Sequence, residues 1–281
     1  MNTVKTVLLL GLLSGLLLFL GEAFGGRNGL YVGLLIAVAM NFFSYFFSDK
    51  LALATYSAQP VSPEQNGQIY SRVAPIVGGL AQRMGIPMPR LWIIDDPSPN
   101  AFATGRNPNH ASVAFTSGIL NTMSDPEIEG VVAHELGHVL HRDILISSVA
   151  ATIAAAITFL ARLGFWFGGG SRDDEREGGG FGALLMMVLA PIAALLIQMA
   201  ISRSRELDAD AASAKYTGRP SELISALQKL DVYSKRMPLD ATPSTAHLFI
   251  IQPFTGESLM RLFSTHPSTE ERIARLQAMR G

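Results

Sequence analysis

Four stretches of this 281-residue chain contain no charged side chain, and their lengths constrain the fold more than any other feature: residues 6–21, 28–48, 144–161 and 178–202. The hydrocarbon core of a bilayer is about 30 Å thick, and a helix needs about 20 apolar residues to cross it. Residues 28–48 and 178–202 meet that length outright. Residues 6–21 reach it with Glu22 at the interface, and residues 144–161 with Arg162 snorkelling outward. The competing reading is burial as core helices of a soluble protein. Length argues against it for the first pair; for the second pair a hairpin only partly inserted is the nearer rival. Composition agrees with membrane helices, since only 16% of residues are charged, against about 25% in an ordinary soluble domain. Lys5, the apolar run after it and the small residues from Gly21 to Gly26 resemble a signal sequence. It reads as an uncleaved signal-anchor, with Leu30 to Phe47 as a second anchor.

Lys and Arg near the span ends set orientation. Lys5, Lys50, Arg142, Arg203 and Arg205 fall on one side; Arg27 and the acidic loop SRDDEREGGG fall on the other. This assigns the N-terminus, residues 49–143 and residues 203–281 to the cytoplasm. A formal net charge of −1 gives no support for a nucleic-acid partner. The absence of cysteine excludes disulfides, thiolate catalysis and Cys-ligated metal. A metal site must therefore use His, Asp or Glu.

The polar segment 49–143 reads as a small mixed unit. Ser62-Pro63-Glu64-Gln65 has the form of a capping box opening a helix that ends at Gly85, with prolines at 87 and 89. Residues 91–95, 100–105 and 112–116 are short strand-like runs separated by turn residues. Ser124-Asp125-Pro126-Glu127 is a second capping box, opening a helix expected to reach at least Arg142 and to lead directly into the third apolar stretch. Residues 203–281 read as helical: Arg203 to Lys215, Ser221 to Tyr233, and a last helix capped by Ser268, with Ile273, Leu276 and Met279 on its apolar face.

Inside the second capped helix lies His134-Glu135-Leu136-Gly137-His138, an HExxH motif. Residues i and i+4 share a helix face, so both imidazoles can reach one metal ion, and Glu135 can approach the ion's water without being a ligand. Composition alone predicts roughly 0.005 such matches in a chain of this length. A catalytic zinc ion normally has three protein ligands and a water. The extended motif that supplies a third histidine needs Gly at 141 and His at 144; the chain has His141 and Ile144, which excludes it. A carboxylate from a later helix remains, and Glu206 and Asp210 share a face at i, i+4. One of them can bind the metal while the other accepts a hydrogen bond from a ligand histidine. Asp208 points elsewhere on that helix. His141 lies one turn along the ligand face but is expected to be interfacial or supporting, and His110 sits in a turn. A hairpin of two spans over residues 144–202 would return the chain to the same membrane face and let the two halves of the site meet.

The segments HELGHVLHRD, SRSRELDAD and STHPSTEERIARL, in this order and with this hydropathy, resemble the HtpX family of membrane zinc metalloproteases, which are related to the CaaX prenyl proteases. PNAFATG and TAHLFI also resemble the family. The resemblance covers nearly the whole chain. It implies one Zn2+ held by His134, His138 and Glu206, Glu135 as catalytic carboxylate, and Asp210 at the position that supports a ligand from behind. It further implies quality control of membrane proteins in bacteria, often under stress.

The expected fold is therefore a mainly α integral membrane protein: four transmembrane helices plus a cytosolic α+β zincin-like protease domain with a small β-sheet. Residues 1–48 supply two N-terminal transmembrane helices and residues 144–202 a transmembrane hairpin. Residues 49–143 and 203–281 form the two parts of the catalytic domain. The expected activity is zinc-assisted peptide hydrolysis in the bacterial inner membrane, acting on misfolded membrane proteins, with the lipid bilayer as a further partner. The tetrahedral oxyanion needs a stabiliser besides zinc. His266 in STHPS is the candidate, His247 in TAHLF the rival and Arg203 a weaker third. Asn100 to Gly105 could receive an extended peptide as an added strand, though an ordinary core strand would look the same in sequence. Two other functions compete. Prenyl-protein processing would need an enclosed chamber built from more spans. A non-catalytic scaffold or transporter subunit would carry ionisable groups inside its spans or a closed four-ligand metal site.

Overall fold

The structure, a computed structural model, describes residues 2–146, 149, 203–236, 250 and 267–279. It opens with α1 (Asn2–Thr55), which is two helices joined at Gly26, where φ is 55° and ψ is −143°. Only glycine adopts that conformation without penalty, and the chain folds back on itself there. The two arms pack antiparallel. Asn41 Nδ2 on the second arm donates to Ser14 Oγ on the first at 2.8 Å. A methyl group on Gly21 or Gly29 would collide with the other arm's backbone carbonyl, and one on Gly33 would lie 2.6 Å from the carbonyl oxygen of Leu17. Small residues that let two backbones touch are what helix pairing in lipid requires, because apolar burial supplies no net drive there. The outer faces of both arms expose Val7, Phe19, Leu35, Val38 and Phe42. Among the described residues one helix, Gly26–Phe47, is long and apolar enough to cross a membrane; Leu10–Phe19 on the first arm is a shorter apolar helix. The expected spans within 144–202 lie outside the described residues, apart from residues 144–146 and 149.

Beyond Phe47 the second arm continues to Thr55 and meets a sheet of four strands: β1 (Gln59–Val61), β2 (Arg90–Ile94), β3 (Ala101–Gly105) and β4 (Ala111–Thr116). Their order is β1-β2-β4-β3, with β2 and β4 parallel and the two outer pairs antiparallel. Side chains alternate between faces along each strand, and here both faces are covered. Leu91, Ile93, Ala101, Ala103, Val113 and Phe115 join the main core. Ile94, Phe102 and Ala114 instead pack with Leu53 of α1, flanked by Tyr56 and Trp92. The end of the apolar helix is thus one of the layers that cover the sheet.

The other layer is helical. α2 (Gly67–Met84), α3 (Ser117–Thr122) and α4 (Asp125–Leu140) are followed by α5 (Arg203–Thr217), α6 (Pro220–Arg236) and α7 (Thr269–Ala278). α4 is the central helix, touching α2, α5, α6 and β3. It approaches α5 closely because Gly137 has no side chain: a Cβ there would lie 3.1 Å from both the Ala209 Cα and the Ala212 Cβ. The HExxH motif therefore includes the residue that lets the second helix come near.

Two helix boundaries differ from expectation. Ser62 to Gln65 closes a turn, with Ser62 N donating to Gln65 O at 2.8 Å and Gln65 N returning to Ser62 O at 3.2 Å. α2 starts only after Asn66, which sits in the left-handed region. The local hydrogen bonds of the Ser62 side chain favoured the turn over the helix. At the other boundary α4 stops at Leu140 and does not run into the third apolar stretch unbroken. Arg142 takes φ 59°. Its N–H bonds Val139 O at 3.1 Å, and the N–H of Asp143 bonds His138 O at 2.8 Å. This is the Schellman pattern, built on an arginine where glycine is usual.

Candidate active site

α4 is entered through the capping box expected from sequence: Glu127 Oε2 accepts from Ser124 N at 2.8 Å. About two and three turns past Glu127, His134 and His138 project toward α5. The two Nε2 atoms lie 3.3 Å apart. Glu206 of α5 stands across from them, with one carboxylate oxygen 3.6 Å from His134 Nε2 and the other 3.6 Å from His138 Nε2. The three side chains form a group that could hold a metal ion. Zinc binds nitrogen and carboxylate oxygen at about 2.0–2.2 Å, and a tetrahedron of that radius has edges of about 3.3–3.6 Å. The observed separations match those edges, so the donor set fits such an ion.

Each imidazole is held from behind. His134 Nδ1 lies 2.9 Å from Asp210 Oδ1. Arg272 of α7 grips that carboxylate with two hydrogen bonds, Nε to Oδ2 at 2.9 Å and a terminal nitrogen to Oδ1 at 2.7 Å. Its other terminal nitrogen donates to Ile250 O at 2.9 Å. Arg272 is 2% exposed and Asp210 0%, so this is an ion pair in the interior. On the other side His138 Nδ1 faces Asp143 Oδ2 at 3.4 Å, and Arg205 lies 3.9 Å from that carboxylate. An Asp backed by an Arg thus stands behind each histidine, close-set at His134 and wider at His138. Sequence reading reached Asp210 but not Asp143, Arg205 or Arg272. The signal for Asp143 lay in a turn five residues past His138, and Arg272 read as one more charge in a solvated terminal helix.

Electrostatics follow this geometry. Burial raises the Asp210 carboxyl, but Arg272 and His134 outweigh it and hold the carboxyl down at about 2. For His134, burial and Arg272 disfavour the charged imidazole, yet the hydrogen bonds to Asp210 and Glu206 raise it to about 9. Glu135, buried beneath β3, is pushed up mainly by desolvation. Its Oε2 accepts the N–H of Ala103 at 2.8 Å. That N–H must point away from β4. By strand alternation the N–H groups of Ala101 and Gly105 point the same way. β3, all five of whose residues are buried, is the last strand in the sheet order among the described residues, so its outward main chain runs beside the Glu135 carboxylate.

The remaining candidates are distributed as follows. His266 and His247 lie outside the described residues. Arg203 is exposed at the first residue of α5, and Asp208 is exposed on the same helix. His141 is exposed at the end of α4, and His110 is exposed with its ring 3.0 Å from Asn107.

A helix carrying HExxH, a glutamate brought to it by a second helix and a strand lying across the motif together define a metallopeptidase of the kind whose third ligand is a carboxylate. The family model described as Peptidase family M48 matches residues 64–280, and the chain belongs to this family. It is a metal-dependent protease. A protein named Protease HtpX homolog from Desulfatibacillum aliphaticivorans is 52% identical over 283 residues, covering 99% of this chain and 90% of that one. A protein of the same name from Thermodesulfovibrio yellowstonii is 51% identical over 282 residues, covering 99% of both. Among solved structures, that titled Crystal Structure of S. mikatae Ste24p resembles the fold at a TM-score of 0.52 and 20% identity; this chain covers 65% of its length.

Proposed function

We propose that the chain is a zinc endopeptidase of the bacterial inner membrane that cleaves misfolded membrane proteins on the cytoplasmic side. Residues 1–48 and 144–202 form its four-helix membrane part, and residues 49–143 and 203–281 its catalytic part. His134, His138 and Glu206 hold the ion. When bound, zinc lowers the pKa of a water toward about 7 and polarises the scissile carbonyl. Glu135 takes the proton of the attacking water and passes it to the leaving amine. Ala103 N–H orients one oxygen of that carboxylate and leaves the other for the proton. Asp210, fixed by Arg272, keeps His134 in the tautomer that presents Nε2. His266 is assigned to the oxyanion. An extended substrate lies along β3 and bonds through its main chain, which suits varied damaged proteins.

The observation that carries this reading is the triangle of donors with tetrahedral edge lengths beside a buried glutamate. The relatives' printed names and the outward apolar faces of α1 support the membrane protease. The test is cleavage of an unfolded protein by detergent-purified enzyme, wild type against Glu135→Gln, each measured for zinc content. Loss of cleavage with one zinc still bound per chain is the expected result. Equal cleavage by both would remove the reading.

A further inference from the structure

We propose that the enzyme cuts by distance from the membrane, because β3 is fixed upright against the end of the membrane helix with its catalytic level about 10 Å beyond the bilayer boundary. This rests on the proposed peptidase function and specifies its substrate class: extended segments just outside a membrane span, with little regard to sequence.

The two contacts between α1 and β3 set the geometry. At the last turn of the candidate span, Phe46 carries the guanidinium of Arg106 over its ring, 5.4 Å from the centroid. Arg106 is the residue after β3. Further out, the rings of Tyr56 and Phe102 meet at 5.7 Å, and Leu53 is buried against Phe102. From Phe46 to Leu53 is seven residues along α1, about 10 Å. From Arg106 back to Phe102 is four residues along a strand, about 13 Å. The two elements therefore lie side by side, and β3 points its Gly105 end at the membrane. β2 agrees, since Arg90 at its start pairs with Asp49 at 3.1 Å while Ile94 at its end packs on Leu53. One face of the sheet packs on α1, through Ile94, Phe102 and Ala114 around Leu53, and the Arg90–Asp49 ion pair and the Arg106–Phe46 contact tie the same elements nearer the span.

The height of the chemistry follows. Ala103, whose N–H is held by Glu135, is three residues from Arg106, about 10 Å along the strand. A substrate chain leaving the bilayer beside β3 in extended form reaches Glu135 after three to four residues. Bonds about three to six residues from the span end are placed at the site; bonds nearer cannot reach it.

The experiment uses the full-length enzyme and single-span substrates in liposomes. The span is followed by a long linker of one repeated, cleavable tripeptide, and product ends are read by mass spectrometry. Cuts should cluster about three to six residues from the span. With six polar residues inserted before the repeat, the window should keep its distance from the membrane and move into the insert. Cuts that follow the sequence, or that spread evenly along the linker, would overturn the proposal. Loosening the joint with Arg106→Ala and Asp49→Asn should widen the window at least twofold while cleavage of a soluble unfolded protein stays within twofold; an unchanged window in that variant would count against the joint. A soluble substrate cut while membrane substrates are cut anywhere, or not at all, overturns the distance rule alone. No cleavage of either removes the peptidase reading, and the distance rule with it.

Discussion

Asp210 and Asp143 stand behind neighbouring histidines at different ranges, and the difference has measurable consequences. Asp210 is locked between His134 and Arg272 with every contact under 3.0 Å. Asp143 approaches His138 at 3.4 Å. Removing such partners costs roughly 10–100-fold in metal affinity. Asp210→Asn should fall at the upper end, because it also leaves Arg272 buried without its counter-charge; Asp143→Asn should fall at the lower end. Competition with a chromogenic chelator checks the order, and the reverse order would argue against Arg272 as the anchor. A second prediction at this scale concerns Glu127. Burial opposes its ionisation, but Lys229 at 2.7 Å and Ser225 at 2.6 Å hold its carboxyl down at about 2, against 4.5 for the free group. A folded pKa below the unfolded value gives stability that is present above about pH 4.5 and lost as the pH falls toward 2. With Lys229 partly exposed, Glu127→Gln should cost roughly 1–2 kcal/mol at pH 7, about half of that at pH 3 and little at pH 2, read from denaturant unfolding in detergent.

At the scale of elements, the turn after α4 matters most. The HExxH spacing was legible because i, i+4 geometry needs only a helix. Asp143 was not, because its position depends on Arg142 adopting φ 59°, and nothing in arginine's chemistry announces that. A non-glycine residue there costs about 1 kcal/mol, so Arg142→Gly should raise the unfolding free energy by about that amount with metal affinity unchanged. Thermal unfolding and chelator competition check the two halves of that statement. The strands were legible from their turn residues, whereas β1, at three residues, was too short to show a period. Arg272 was missed for a related reason: charge in a capped terminal helix reads as solvated surface, and only the fold turns it inward. In α1, Gly21 of the signal-like sequence proved to touch the other arm, together with Gly29 and Gly33 beyond it. Gly29→Leu should separate them, detected as a fall in cross-linking between cysteines placed at positions 14 and 41.

Across the whole molecule the site is the junction of elements far apart in sequence. α4 supplies two donors, α5 the third, and α7 the arginine that ties them, while β3 lies beside Glu135 and packs on α1. Stripping the metal should therefore loosen α5 and α7 against α4 more than it disturbs the sheet, seen as faster amide exchange in residues 203–217 and 269–278 than in 90–116. The hydropathy pattern announced the apolar helix Gly26–Phe47, and the motif announced the chemistry. Their mutual orientation was not legible, because it rests on Phe46, Leu53, Tyr56 and Phe102, an aromatic and aliphatic set that looks in sequence like the tail of an apolar run. One further consequence lies in the 138 residues that separate His134 from Arg272. A ribosome that has finished the HExxH helix has not yet made the carboxylate at 206 or the arginine at 272. At about 5–20 residues per second this leaves an interval of roughly 7–27 seconds. Until the last of these is made, the nascent chain carries the two histidines without the full set of residues that the folded site brings together.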